Sequence, residues 1–548
     1  MERMGVRRVG RHRRGRARAY AAAGVASVLV ATYATTTAAA EPRPRSTAST
    51  TYPALTASRT APVLTDRQVA DAVAKLDGQI RAGMERTGVP GVAVAVVHKD
   101  RVVYMKGFGD REAGKPGAVS PDTVFQLASL SKPLASTVVA DAVGDKAIAW
   151  DTPVTRHLPD FALKDPWVTD HVTVADLLSH RSGLPDHAGD LLEDLGYDRQ
   201  YILGHLRFEP LSPFRASYAY TNFGVTAAAE AVADAKDTTW EKLAEDSLYG
   251  PAGMNSTSSS FADYEKAANR AATHVENADG TWEAKFVRDA DAQSPAGGVS
   301  STARDMATWL RLQLADGKLG DQQIVPAEQL QRTHLPEIVS QPPDGPAGRT
   351  GFYGLGWNVG YDDQGRLRLS HSGAFGLGAN TNVTMLPGEE LGIVVLTNGK
   401  PVGLADSVAI NFFDTAQHGR PTQDWLPLIA GVYDKEEAEG RSPTDYTKPP
   451  GDASAAKADD AYTGTYSNDY YGPLTVTADN GELSLSLGPK PMRFALTHYD
   501  GDTFSFETVG ENAVGRTGVT FTVGEGGKAS KVRVERLDEN GLGTFTRE

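Results

Sequence analysis

Ser129 and Lys132 stand three residues apart in the stretch Phe125-Gln126-Leu127-Ala128-Ser129-Leu130-Ser131-Lys132-Pro133. Positions i and i+3 share one face of a helix, so on a helix the amine leans back over the hydroxyl. A serine at a helix N-terminus also lies beside free backbone N–H groups and the positive end of the helix dipole. Those are the needs of a nucleophile: a base within reach and a place for negative charge. The pattern alone is weak, because Ser454 and Lys457 repeat it inside a polar segment. Other groups have to support it.

Tyr220-Thr221-Asn222 offers a second acid/base group. A phenol with its ordinary pKa of about 10 is a poor base, but a neighbouring ammonium favours the phenolate. The Asn222 amide can hold a substrate and accept a hydrogen bond from Lys132. His371-Ser372-Gly373 follows the strand-like run Arg366–Ser370 and is assigned to substrate binding. Gly373 permits a ligand to approach the strand, and the Ala374 N–H is placed to join that of Ser129 as an oxyanion pair. His371 offers a substrate carboxylate a polar or a cationic partner, depending on its protonation. Similar triplets recur at Tyr466–Asn468 and His187–Gly189. Ser129, Tyr220 and His371, however, fall in order inside one continuous folded region.

The elements that must position these residues have readable signals. Apolar positions recur every three or four from Ser129 to Gly144, with Pro133 in the first turn and a glycine stop. Thr65 and Gln68 form a capping box for a helix reaching about Arg86. Gly91–His98 and Val102–Phe108 read as a hairpin joined by Lys99–Arg101. From Asp151 to Phe261 the periodicity is mainly helical. Strands return at Tyr353–Val359, Leu367–Ser370, Thr381–Leu386 and Gly392–Leu396, before a closing helix over Pro401–Gln417. The expected fold is α+β: an antiparallel sheet built from both ends of the catalytic domain, helices on its faces and an inserted helical block. Beyond it, short alternating runs such as GELSLSL and TFSFET predict a small all-β sandwich or barrel.

The chain has 548 residues, a net charge of −14 and no cysteine. The length calls for more than one domain. The acidic balance argues against nucleic-acid binding, and the missing cysteines exclude disulfides, thiolate metal sites and a cysteine nucleophile. Residues 1–18 nevertheless carry eight arginines and one acid, and are followed by a short apolar run and Ala38-Ala39-Ala40. This predicts a secretory signal over residues 1–40 and a secreted protein cleaved near Ala40; the run is too short and too weakly apolar for a stable membrane anchor. A Pro/Ser/Thr-rich linker is expected over 41–61, the hydrolase domain over 62–433, a charged linker over 434–460 and the β domain over 461–548. No obligate protein partner is inferred.

The motifs together resemble the serine β-lactamase and penicillin-recognising superfamily, whose hallmark is S-x-x-K with two partner motifs. Y-x-N in second place is similar to the class C branch, which includes D-alanyl-D-alanine carboxypeptidases, D-aminopeptidases and carboxylesterases. Leu177–Pro185 (LLSHRSGLP), Pro251–Met254, Ala296–Ala303 and Tyr353–Trp357 continue the likeness in the family's order. The third motif departs from it: H-S-G stands where class C β-lactamases carry K-T-G. The fixed lysine charge that recognises a drug's carboxylate is missing, which argues against efficient β-lactam hydrolysis. The resemblance implies acyl transfer through a covalent serine ester on a peptide, amide or ester, with Ser129 as nucleophile and Lys132 and Tyr220 moving protons. It leaves open which of the two is the resting base. It implies no metal and no cofactor. A penicillin-binding protein acylated by β-lactams is the alternative reading.

Overall fold

Val92, Val94 and Val96 point to one face of the Gly91–His98 strand and Ala93, Ala95 and Val97 to the other, all shut off from solvent. A strand apolar on both sides needs cover on both. The computed structural model describes residues 62–548 except 344, 346 and 347, and the expected signal (1–40) and linker (41–61) lie outside the described residues.

The strand sits within an eight-stranded antiparallel sheet. Across it the order is Arg101–Gly109, Gly91–His98, Leu391–Thr397, Ala379–Leu386, Leu367–Phe375, Asn358–Tyr361, Gly351–Tyr353 and Ile338–Gln341. Early and late chain meet between its second and third strands, where Val94 pairs with Val395. The first hairpin turns on Lys99 and Asp100, both at positive φ (50° and 56°), as a two-residue hairpin loop requires. One face is covered by the helices Asp66–Thr87 and Leu404–His418. The other carries the inserted helical block, with Ser131–Gly144 and Ala303–Leu314 packed on the sheet. The α+β reading holds.

Two expectations need correction. Tyr353–Val359 is not one strand: residues 354–357 turn away, Gly356 adopts a φ of 80°, and Trp357 is buried against Trp309 with ring centres 5.6 Å apart. A Cβ on Gly356 would lie 2.8 Å from the Lys132 carbonyl oxygen, so this turn packs directly on the Lys132 helix. The second concerns residues 434–439, expected as linker. They are the last turns of the helix Trp425–Glu439. Leu426 and Tyr433 anchor this helix, Leu426 by burial and Tyr433 by a hydrogen bond to Asp406, while the charged residues occupy its wet side.

The C-terminal part is a nine-stranded antiparallel sheet. Its first strand, Gly464–Ser467, pairs with its last, Thr544–Arg547. The two edge strands, Met492–Ala495 and Thr497–Asp500, follow one another in the chain, so the sheet curls into a nearly closed barrel. Tyr462, Tyr466, Phe504, Phe521 and Phe545 fill it. It is docked on the helical block: the Tyr197 hydroxyl donates to the Tyr471 carbonyl (2.7 Å), and the Asn540 amide to Glu209 (2.9 Å).

Truncating Trp309, wholly buried on the face that carries the Lys132 helix, removes a large packed ring. Trp309→Ala is expected to destabilise the fold by about 3–5 kcal/mol, read as a lowered denaturation midpoint by near-UV circular dichroism.

Candidate active site

The short strand Phe125–Gln126 pairs with Ser300–Ser301. The chain then turns sharply through Ala128, whose φ of 49° is rare for a residue with a Cβ. Several bonds impose that turn. Ser131 Oγ donates to the Ala128 carbonyl (2.7 Å) and accepts from the Val299 N–H (3.0 Å), while Thr381 Oγ1 donates to the Leu127 carbonyl (2.7 Å). A single turn of 3-10 helix, Ala128–Leu130, precedes the α-helix, which begins at Ser131 rather than at Ser129. Of residues 123–140 only Ser129 escapes full burial.

Two side chains converge on its hydroxyl. Lys132 Nζ lies 3.0 Å from Ser129 Oγ, and the Tyr220 hydroxyl donates to the same oxygen at 2.8 Å. Lys132 also donates to Asn222 Oδ1 (2.7 Å) and the Ala296 carbonyl (3.0 Å), and its Nζ lies 4.4 Å from the Tyr220 ring centre. Asn222 is oriented by its other end, where Nδ2 donates to Asp190 Oδ2 at 2.9 Å. Asp190 bonds His187 Nδ1 at the same distance. His180 packs behind Tyr220, with ring centres 4.6 Å apart, and its Nδ1 accepts the Thr221 N–H.

The edge of the sheet closes the other side. Pairing between Leu367–Phe375 and Asn358–Tyr361 stops at Ser370, leaving the far end of the longer strand free on that edge. There Gly373 is pressed against the serine turn: a Cβ would lie 2.1 Å from the Leu127 carbonyl oxygen and 3.1 Å from the Ser129 nitrogen. The Ser129 N–H makes no hydrogen bond among the described residues. His371 is buried, with Nδ1 donating to the Ser372 carbonyl (2.8 Å) and Nε2 accepting from the Tyr353 hydroxyl (2.9 Å).

The Ser372 side chain turns the other way. Strand alternation sends it to the opposite face of the sheet, where its hydroxyl bonds Asp406 and Asn382. The expectation that Ser372 binds substrate therefore fails for its side chain. The other S-x-x-K and Y-x-N hits are structural: Lys457 pairs with Asp502 (2.5 Å), and Tyr466 lies inside the barrel.

A family model described as Beta-lactamase matches residues 76–413. The chain belongs to that family. A second model, described only as a domain of unknown function (DUF3471), matches residues 448–543. Among curated proteins the chain is 27% identical over 334 residues to unguisins hydrolase ungD′ of Aspergillus campestris, covering 58% of this chain and 60% of that one. It is 28% identical over 334 residues to penicillin-binding protein 4 of Amycolatopsis lactamdurans, covering 59% of this chain and 84% of the relative. The octameric penicillin-binding protein homologue from Pyrococcus abyssi shares the fold, with a TM-score of 0.56 at 19% identity over 84% of this chain and 98% of that one. The family match and the curated relatives support a serine hydrolase in general terms.

Electrostatics assign distinct states to the groups in this Beta-lactamase-family site. Burial disfavours the charged amine and lowers the Lys132 pKa to about 7; attraction from Asp190 opposes the shift and repulsion from Arg288 adds to it. Burial raises the Tyr220 pKa, so the phenol stays protonated and donates to Ser129. The phenolate expected beside an ammonium is thereby overruled: desolvation exceeds the lowering effect of the hydrogen bond with Ser129. Burial, with repulsion from Lys132, lowers the His371 pKa to about 3. Of its two possible states, the neutral ring is the one present near neutral pH.

Sequence reasoning missed Asp190, Arg288, the Ala296 carbonyl and Tyr353. Only Asp190 had a local signal, the His187/Asp190 spacing of a single helical turn. Because an unprotonated Lys132 is the form able to accept a proton, ester acylation should rise with pH through about 7. In Asp190→Asn the attraction that holds the proton on Lys132 is lost, and this rise should move to lower pH in a stopped-flow profile of acyl-enzyme formation.

Proposed function

We propose that the protein is a serine hydrolase that opens ester or amide bonds through an acyl-Ser129 intermediate, on substrates with no free carboxylate beside the scissile bond. The observation that carries this reading is the meeting of Lys132 Nζ and the Tyr220 hydroxyl on Ser129 Oγ, at 3.0 and 2.8 Å. A neutral amine has two N–H donors, matched by Asn222 Oδ1 and the Ala296 carbonyl, and one lone pair left for the serine proton.

In the proposed cycle Ser129 Oγ attacks the carbonyl carbon as its proton passes to Lys132 Nζ. The oxyanion is held by the N–H groups of Ser129 and Ala374. As the bond to the leaving group breaks, Tyr220 gives its proton to that group and is replenished from Lys132. Water then attacks the acyl ester, its proton returns through the same pair, and Ser129 regains its hydrogen. Asn222, His371 and Gly373 line the substrate side.

Three basic groups near Ser129 are otherwise engaged. Lys132 is enclosed and in use, His371 is neutral, and Arg288 is paired with Glu193 (2.8 Å) and Glu511 (3.5 Å). This favours small esters and D-amino-acid amides over peptides with a free C-terminus. Likeness to penicillin-binding protein 4 favours a second reading, in which β-lactams acylate Ser129 and leave slowly. Export after cleavage near Ala40 belongs to the proposal and rests on residues 1–40 alone.

Intact mass after treatment with a fluorophosphonate, and separately with penicillin, tests the reading. A single fluorophosphonate adduct is expected, absent in Ser129→Ala and unchanged in Ser454→Ala; a persistent penicillin adduct without ester turnover supports the second reading instead. Tyr220→Phe should lower ester kcat by about 10²–10⁴-fold. In a panel of p-nitrophenyl esters, D-alanine amide and D-alanyl-D-alanine peptides, the dipeptides should be the poorest substrates. Labelling that survives in Ser129→Ala rejects the assignment.

A further inference from the structure

The turn that joins the strands Leu367–Phe375 and Ala379–Leu386 begins one residue after Ala374. Within it the Gly378 N–H donates to the Phe375 carbonyl (2.9 Å). Among the described residues, the N–H groups of Gly376 and Leu377 have no partner in their own domain. Both are taken by one carboxylate from the C-terminal barrel: Glu511 Oε1 accepts from Gly376 at 2.6 Å and Oε2 from Leu377 at 3.3 Å.

The Glu511 loop is itself held. Asp194 accepts the backbone N–H groups of Glu511 and Asn512 and the Asn512 side-chain amide, each at 2.9 Å. Gly510, at a φ of 98°, lies so close that a Cβ would stand 2.6 Å from Asp194 Oδ1. Arg288 completes the brace. Its guanidinium pairs with Glu511 and with Glu193 and lies 4.6 Å from the Phe375 ring centre. Glu193 and Asp194 end the helix Asp190–Asp194, whose first residue orients Asn222. One loop of the barrel thus touches both walls of the site, the oxyanion turn and the helix behind Asn222 and Lys132.

We propose that Glu511 is a positioning residue for the Ser129 site: by capping the Gly376 and Leu377 N–H groups it fixes the strand end that presents the Ala374 N–H. The C-terminal domain is then part of the catalytic machinery rather than an appendage. This rests on the acyl-serine reading above. Its expected signature is kinetic. An oxyanion donor acts in the transition state, so its misplacement lowers kcat and leaves KM nearly unchanged. Deleting such a donor outright costs about 10²–10³-fold; displacing one should cost roughly tenfold or more.

The test compares Glu511→Ala, Glu511→Gln, Glu511→Asp and Asn540→Ala in the full chain, using an ester substrate and fluorophosphonate titration of active sites. Glu511→Ala should lose roughly tenfold or more in kcat per titrated site with KM within about threefold. Glu511→Gln keeps an oxygen acceptor for the Gly376 N–H and should recover most of that loss. Asn540→Ala breaks a domain contact away from the turn, to Glu209, and should leave kcat unchanged. Should Glu511→Ala fail to fold, Glu511→Asp replaces it, because it keeps the charge beside Arg288 but is one methylene too short to reach Gly376. Wild-type kcat in Glu511→Ala or Glu511→Asp, or an equal loss in Asn540→Ala, overturns the proposal. Failure of the wild-type protein to label at all would instead reject the acyl-serine reading itself.

Discussion

A lysine amine with no access to solvent is the constraint on which this site depends. Among the described residues Lys132 Nζ hydrogen-bonds with Ser129 Oγ, Asn222 Oδ1 and the Ala296 carbonyl, and the side chain is closed to solvent. Burial without partners would be prohibitive. Each acceptor therefore has to be supplied from a different part of the chain and held in place. The helix Asn222–Ala235 brings Asn222, Asp190 fixes the orientation of its amide, and the segment Ser294–Gly297 contributes the carbonyl. The inserted helical block is the scaffold that brings these oxygens to one nitrogen.

The sheet has a different task. Its strand Leu367–Phe375 outruns its neighbour at Ser370, and the freed edge abuts the serine turn at Gly373. An unpaired edge needs bracing, and it receives this from behind and from beyond. Behind it, Asp406 collects Ser372, Asn382 and Tyr433, joining the strand to both C-terminal helices of the catalytic domain. Beyond it, the barrel reaches the turn after Phe375. The Ser372 hydroxyl thus serves the strand and not the ligand.

What could be read in the sequence follows from how far apart the interacting residues are. Ser129 and Lys132 meet within one helical turn, so spacing alone implied their contact, and the apolar run Gly91–His98 with its Lys99–Arg101 turn implied the first hairpin. The α+β plan followed from where strands and helices cluster. Tyr220 and His371 were nominated by short motifs, but no local pattern could report the 2.8 Å contact between residues 91 positions apart. Protonation states were less legible still. An ammonium beside a phenol suggests a phenolate on paper, and only the depth of burial reverses it. Ser372 was a mistake that period-two alternation could have prevented, since its neighbours His371 and Gly373 point to the other face. The missed turn at 354–357 shows packing overriding strand-like composition, because Trp357 is drawn to Trp309.

The sheet's two-ended construction has a consequence for how the protein is made. Gly91–His98 finds its inner partner, Leu391–Thr397, roughly 300 positions later in the chain, and contacts of such sequence separation form slowly. During synthesis the nascent chain holds a strand apolar on both faces with one side unpaired until its partner has been translated. Such an edge is a template for pairing with the wrong molecule. The protein is thus most exposed to aggregation before its last catalytic strand exists, and stop codons ahead of Leu391 should yield insoluble fragments rather than smaller working enzymes.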